Sequence, residues 1–147
     1  MLLRGLLQQR SRVATKILRI KTPGQGLHEI TDPVAATVRE AACTEALCTI
    51  FIRHTSASLI IQENADPSAR RDLEAWFSRL VPEGDGIFTH IAEGADDMPS
   101  HVKAVLTSTS LSIPVFGGHL VLGTWQGIYV WEHRNASHLR EVVVHIA

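Results

Sequence analysis

The sequence predicts an α+β fold: a largely antiparallel β-sheet or sandwich with two or three packed helices in a single domain. Three observations lead there. The 147 residues suffice for one core, and neither an internal repeat nor a low-complexity linker divides them. Several short segments alternate apolar and polar residues, and the last four follow one another through short connections, as neighbouring antiparallel strands do. Other segments carry apolar residues at three-and-four spacing, the mark of helices lying on a sheet.

In order along the chain, residues 1–12 read as an N-terminal extension and residues 13–147 as the domain. Leu2-Leu3-Arg4-Gly5-Leu6-Leu7 is too short and too interrupted for a signal-peptide core. Val13 to Thr22 is a first strand, ended by the loop signal Pro23-Gly24-Gln25-Gly26. Thr31-Asp32-Pro33 opens a helix to about Ala42, with Thr31 as a candidate cap and Pro33 in the first turn. Ala46 to His54 is apolar on both faces and reads as a central strand covered on both sides. Ser58 to Gln62 is a further strand.

Asp66-Pro67 starts the strongest helix, with Asp66 as N-cap and Leu73, Trp76, Phe77 and Leu80 as its packed stripe. Arg70 and Glu74 can pair on its outer side. An acidic, Gly-bearing loop from Pro82 to Asp97 follows and contains His90. Met98 to Thr107 is helical, with Val102, Val105 and Leu106 inward. The four closing strands are Leu111 to Val115, Leu120 to Gly123, Gln126 to His133 and Leu139 to Ile146. The stretch from Gly118 to Arg134, bent at Gly123-Thr124-Trp125-Gln126, turns polar side chains toward the apolar side of the domain.

Composition limits the function classes. A formal charge of −1 with mixed signs lacks the basic footprint of a nucleic-acid binder. No run approaches the roughly 20 apolar residues of a membrane span, so the chain is expected in the cytoplasm without a membrane partner. Cys43 and Cys48 have no second pair with which to build a zinc site, and they read as small buried hydrophobes. The eight histidines are the compositional oddity, since histidine serves both metal binding and proton transfer near neutral pH.

Three constellations can carry chemistry. In the first, strand phase puts Gln126 and Glu132 on the face of Ile128 and Val130, and puts Arg140 with Val142, Val144 and Ile146. An inward Glu132 and Arg140 must pair or hold a ligand, unless both reach solvent at strand ends. The second is Arg53-His54-Thr55-Ser56-Ala57-Ser58, a strand exit with an imidazole and hydroxyls, followed by Glu63-Asn64-Ala65-Asp66 at a strand-to-helix junction. The third is His90 with Glu93, Asp96, Asp97 and His101, where Asp97 also reads as an N-cap. With His54, His90 and His101 could bring two or three imidazoles to one divalent cation, Mg or Zn.

The string His54-Thr55-Ser56-Ala57-Ser58-Leu59, then Glu63-Asn64-Ala65-Asp66-Pro67 and Asp72, resembles the YjbQ family, whose members are labelled secondary thiamine-phosphate synthases. The resemblance runs on through His90, Met98-Pro99-Ser100-His101-Val102-Lys103, Pro114, Leu122-Gly123-Thr124-Trp125-Gln126-Gly127-Ile128 and Glu132, covering about residues 13–147. It implies an α+β homotrimer with clefts near subunit boundaries, and a weak transferase that joins hydroxymethylpyrimidine diphosphate to thiazole phosphate. The family-like polar positions are His54, Glu63, Asn64, His90, His101, Gln126 and Glu132. Where the family commonly has Asn-Ala-His-Ala-His, this chain has Met98-Pro99-Ser100-His101, without the earlier histidine.

For that reaction, Mg²⁺ held by Glu63 or Asp66 would neutralise the leaving diphosphate, and Arg53 or Arg140 would add a charge-assisted fork. Gln126 or Glu132 would meet the aminopyrimidine edge. The alternatives are a non-enzymatic homotrimer that binds a divalent metal or a small phosphorylated metabolite, and a trimer whose inward polar groups only pair across subunits.

Overall fold

In the computed structural model, which describes residues 13–147, the chain folds as β1 (Ala14–Thr22), β2 (Gly26–Glu29), α1 (Thr31–Ala41), β3 (Glu45–Ile52), β4 (Ala57–Glu63), α2 (Pro67–Leu80), α3 (Asp97–Leu106), β5 (Ser110–Phe116), β6 (His119–Leu120), β7 (Gln126–Glu132) and β8 (His138–Ile146). The expected extension at residues 1–12, with its Leu2–Leu7 segment, lies outside the described residues. The fold is α+β and every strand pair is antiparallel, as the sequence predicts.

The strands form two sheets, ordered β1-β8-β3-β5-β6 and β2-β7-β4. The main core lies between them. Ile50, Ile52, Val142, Val144 and Ile146 come from the larger sheet, and Leu59, Ile128 and Val130 from the smaller. Val34, Val38 and Ala41 of α1 pack into the same cluster. On the other side of the smaller sheet, Tyr129 and Trp131 of β7 meet Phe77 of α2, Leu27 and Val81 in a second cluster. So β7 is the strand buried on both faces.

Several expectations need correction. Ala46–His54 is not covered on both sides: Cys48, Ile50 and Ile52 of β3 are buried, while Leu47 and Phe51 are 45% and 46% exposed on the outer face. Thr31 is inside α1 rather than its cap, and its hydroxyl bonds the Glu29 carboxylate and the Ile128 amide instead. Trp76 and Leu80 of α2 are exposed, so Phe77 alone of the predicted stripe is fully buried. Glu74 does not pair with Arg70: its Oε1 accepts the Leu27 amide at 2.8 Å, tying α2 to β2. Residues Val121 to Trp125 are not strand, and they carry the chain from the larger sheet to the smaller.

That crossing is stitched locally. The Gln126 amide donates to the Gly123 carbonyl (3.0 Å), and the Gln126 side-chain oxygen accepts the Gly123 amide (2.8 Å). Gln126 is therefore exposed and occupied with closing the bend, not turned inward.

Candidate metal centre

The β4–β7 ladder separates the predicted site into two ends. Glu63 pairs with Gln126 at one end, and Ala57 with Glu132 at the other. Six strand steps put those ends about 20 Å apart. At the Glu63 end the side chains of Asn64 and Asp66 are already engaged. Asn64 donates to Glu29 (3.2 Å), and Asp66 Oδ1 caps α2 through the Ser68 amide (2.8 Å). The hydrogen bonds from Ser68, its amide first, hold the Asp66 carboxyl below its ordinary pKa. Arg53 reaches Glu141 at 3.1 Å on the surface. Glu63 and Asp66 are thus not joined by Arg53 or Arg140 around a common ligand.

At the other end Glu132 is wholly buried and fully bonded. Its oxygens accept Thr22 Oγ1 (2.7 Å), the Arg134 amide (3.0 Å), and Arg140 Nε (2.6 Å) and Nη2 (2.5 Å). Burial works to raise its pKa, but the hydrogen bonds from Arg140, Thr22 and Arg134 prevail, and the carboxyl stays below its ordinary value. The inward phase of Glu132 and Arg140 is as predicted, and they answer it by pairing with each other. A carboxylate with two donors on each oxygen has no lone pair left for a substrate edge.

The acidic loop and the start of α3 build a different centre. His90, Asp97 and His101 form a group in which one ligand atom from each lies within 4.8 Å of the others. Asp97 is not the helix cap; it is the first residue of α3 and only 2% exposed. Arg134 clamps the loop: Nη1 donates to Asp97 Oδ1 (2.7 Å), Nε to Asp96 Oδ2 (3.0 Å) and Nη2 to the Glu93 carbonyl (2.8 Å). For Asp96, partial burial raises the pKa less than the Asn135 amide and Arg134 lower it, so it remains a carboxylate.

The other oxygen, Asp97 Oδ2, is buried and accepts no hydrogen bond, although His90 Nε2 lies 2.8 Å away. At that separation the two atoms form an ion pair when the ring is protonated, and stand as adjoining ligand atoms when it is neutral. His101 Nδ1 lies 3.0 Å from the Thr55 carbonyl, which only accepts, so in the neutral ring Nε2 carries the lone pair, 3.6 Å from Asp97 Oδ1. A backbone carbonyl fixing the far nitrogen is the usual outer support of a metal-bound imidazole. Two imidazoles and a carboxylate suit zinc or another divalent transition ion better than Mg²⁺, which prefers oxygen.

His54 stands outside this group. Its Nε2 accepts the Glu141 amide at 2.9 Å, and burial with the nearby Arg140 charge lowers its pKa. With Thr55 and His101 it lines an open cleft of about 450 Å³ beside the centre. Of the three predicted metal histidines, the structure therefore unites His90 and His101, replaces His54 with Asp97, and leaves His54 on the cleft wall.

A family description, UPF0047 protein YjbQ-like, matches residues 16–147. The chain belongs to the YjbQ/UPF0047 family. A UPF0047 protein of Synechocystis sp. is 51% identical over 132 residues, 90% of each chain. The UPF0047 protein YjbQ of Escherichia coli O157:H7 is 40% identical over 87% of this chain and 93% of its own. Among solved structures, a YjbQ/UPF0047-family protein of Clostridium acetobutylicum superposes with a TM-score of 0.79 at 34% identity, covering 91% and 99% of the two chains. The YjbQ resemblance read from the His54, Glu63 and Gly123 segments is thereby established.

Three residues that matter here went unnoticed as functional in the sequence: Arg134, Lys103 and His133. Arg134 follows the last predicted strand residue, where alternation no longer assigns a direction. Lys103 is 3% exposed, and desolvation lowers its pKa against the raising influence of Glu83 and Asp96. His133 is 1% exposed, and burial first, then the Lys103 charge, press its pKa down to about 3. Their signal was a charge within the apolar run of α3 and an imidazole and a guanidinium directly after that of β7.

Proposed function

We propose that this chain is a divalent-metal protein in which His90, Asp97 and His101 hold the ion and the adjoining cleft admits a small phosphorylated metabolite. The observation that carries the reading is the buried Asp97 Oδ2, without a donor, facing His90 in a group of three ligand atoms. Three protein ligands leave a position open, and a metal there polarises and neutralises the oxygens of a bound phosphate. The test is equilibrium dialysis against Zn²⁺, Co²⁺ and Mg²⁺ followed by elemental analysis. About one ion per chain should be retained, Zn²⁺ or Co²⁺ over Mg²⁺, and His90→Ala should release it. His90 is half exposed, so its loss spares the fold. Retention of less than a tenth of an ion by the wild-type chain would remove the reading.

The roughly 450 Å³ cleft shared by His54 and His101 favours a second reading on the same centre, the thiamine-phosphate synthase-type transfer. The leaving diphosphate would meet the metal there, rather than a site at Glu63 or Asp66. Purified metal-loaded chain given both substrates would have to form thiamine phosphate above a His101→Ala control. The homotrimer belongs to this proposal too: Ile17, Leu47, Phe51 and Phe116 stand exposed among polar neighbours on the outer face of the larger sheet, a surface fit for a second copy of the chain. Its measure is a solution mass three times the 16.2 kDa of the chain.

A further inference from the structure

We propose that the cavity between α2, α3 and β7 binds a small monoanion with a flat apolar body, an aryl carboxylate in chemical class, with Lys103 as the charge that receives it. The cavity holds about 320 Å³, enough for one aromatic ring and its substituents. It lies on the opposite side of α3 from His101, since two residues along a helix turn the side chain by roughly 200°.

Lys103 lines this cavity and is nearly fully buried, yet no carboxylate is within ion-pair distance of its ammonium among the described residues. Its recorded partner is the face of Phe77, 5.9 Å from Nζ to the ring centroid. An ammonium so enclosed, with Glu83 and Asp96 acting on it only from beyond ion-pair distance, is better satisfied when a counter-ion reaches it. His133 stands on the same wall, also buried. Its Nε2 is bonded to the Ser58 hydroxyl at 2.9 Å, and its Nδ1 has no partner. The imidazole nitrogen is thus unpartnered, and the ammonium on the same wall has no carboxylate in contact with it among the described residues.

The remaining lining sets the ligand's shape and charge. Phe77 and Trp131, their centroids 4.5 Å apart, with the His133 ring 5.7 Å from Trp131, provide aromatic walls suited to a planar body. Arg71 and Glu74 also border the space, and Glu74 is engaged by the Leu27 amide. The lining itself carries two cations and one carboxylate, while Glu83 and Asp96 offset part of the Lys103 charge from outside it. That balance selects a carboxylate over a doubly charged phosphate. The Zn²⁺ ligands of the proposed centre take no part, so the two proposals stand or fall separately.

The test uses benzoate, its neutral analogue benzamide and inorganic phosphate as probes, titrated into the full chain while backbone amide resonances are followed by NMR. Benzoate should shift the amides of Phe77, Lys103, Trp131 and His133 in a saturable way, unchanged after EDTA treatment. Benzamide, and benzoate with Lys103→Met, should each bind about ten-fold more weakly. The exposed Arg71→Gln variant keeps the proposal open to refutation if Lys103→Met does not fold, and should weaken benzoate about three-fold. Equal binding of benzoate and benzamide, tighter binding of phosphate, or shifts confined to other surfaces would overturn it.

Discussion

Glu132 has no solvent and four donors, and Arg140 supplies two of them while also reaching the Ser56 hydroxyl at 3.1 Å. Such a pair contributes little against apolar residues of the same volume, but breaking it strands a charge in the core. Arg140→Met should therefore lower unfolding free energy by about 3–5 kcal/mol, while Arg140→Met with Glu132→Leu should recover much of that loss. Urea titrations of both variants check it; a double variant as unstable as the single would contradict the account. Strand phase made this pair legible, because alternation alone puts Glu132 beside Val130 and Arg140 beside Val142. It could not disclose that Arg140 saturates Glu132. Nor could it place Arg134, whose clamp on Asp96 and Asp97 depends on how the sixteen residues from Val81 to Asp96, between α2 and α3, return to the end of β7.

Among the elements, α3 shows where periodicity misleads. The sequence predicts Val102, Val105 and Leu106 as its buried stripe, yet Val105 is 83% exposed and Leu106 57%. Pro99, Ser100, Lys103 and Ala104 lie underneath instead. The Ser100 hydroxyl is the physical reason, placed to serve the His133 carbonyl at 2.8 Å and the Asp96 carbonyl at 2.5 Å. A polar face with its partners in place wins over a broken apolar one. Strand β2 was invisible for a related reason: Gly-Leu-His-Glu has no alternation, and its pairing with β7 supplies what its own sequence lacks. The β7 strand itself depends on Gly127, where an added Cβ would meet Glu29 Oε1 at 2.8 Å and Asn64 Cβ at 2.9 Å. Gly127→Ala should accordingly cost about 1–3 kcal/mol through overpacking, read as a lower denaturation midpoint at unchanged slope.

At the scale of the whole molecule, the class of fold was legible because it follows from local patterns, whereas the division into two sheets rests on long-range pairing. The segment Glu132-His133-Arg134 joins what that division separates: Glu132 anchors the core, His133 borders the aromatic cavity, and Arg134 holds the acidic loop. This concentration of buried ionisable groups makes stability depend on pH. His133 has a folded pKa of about 3, against 6.5 for an ordinary imidazole, so the unfolded chain binds the extra proton between those values. Stability from His133 is complete above about pH 6.5 and is lost progressively as pH falls toward 3. One such proton is worth about 1.4 kcal/mol per pH unit. His54, also lowered, adds to the same window, and Glu132, lowered as a carboxylate, adds its loss only below its ordinary value of 4.5. Urea unfolding at pH 7, 6 and 5 should show wild-type stability falling along this course. In His133→Gln, where the amide can still bond Ser58, the slope between pH 6 and 5 should be shallower by close to one proton. Parallel slopes for the two proteins would mean that His133 is charged in the native state, and that its silent Nδ1 has a partner after all.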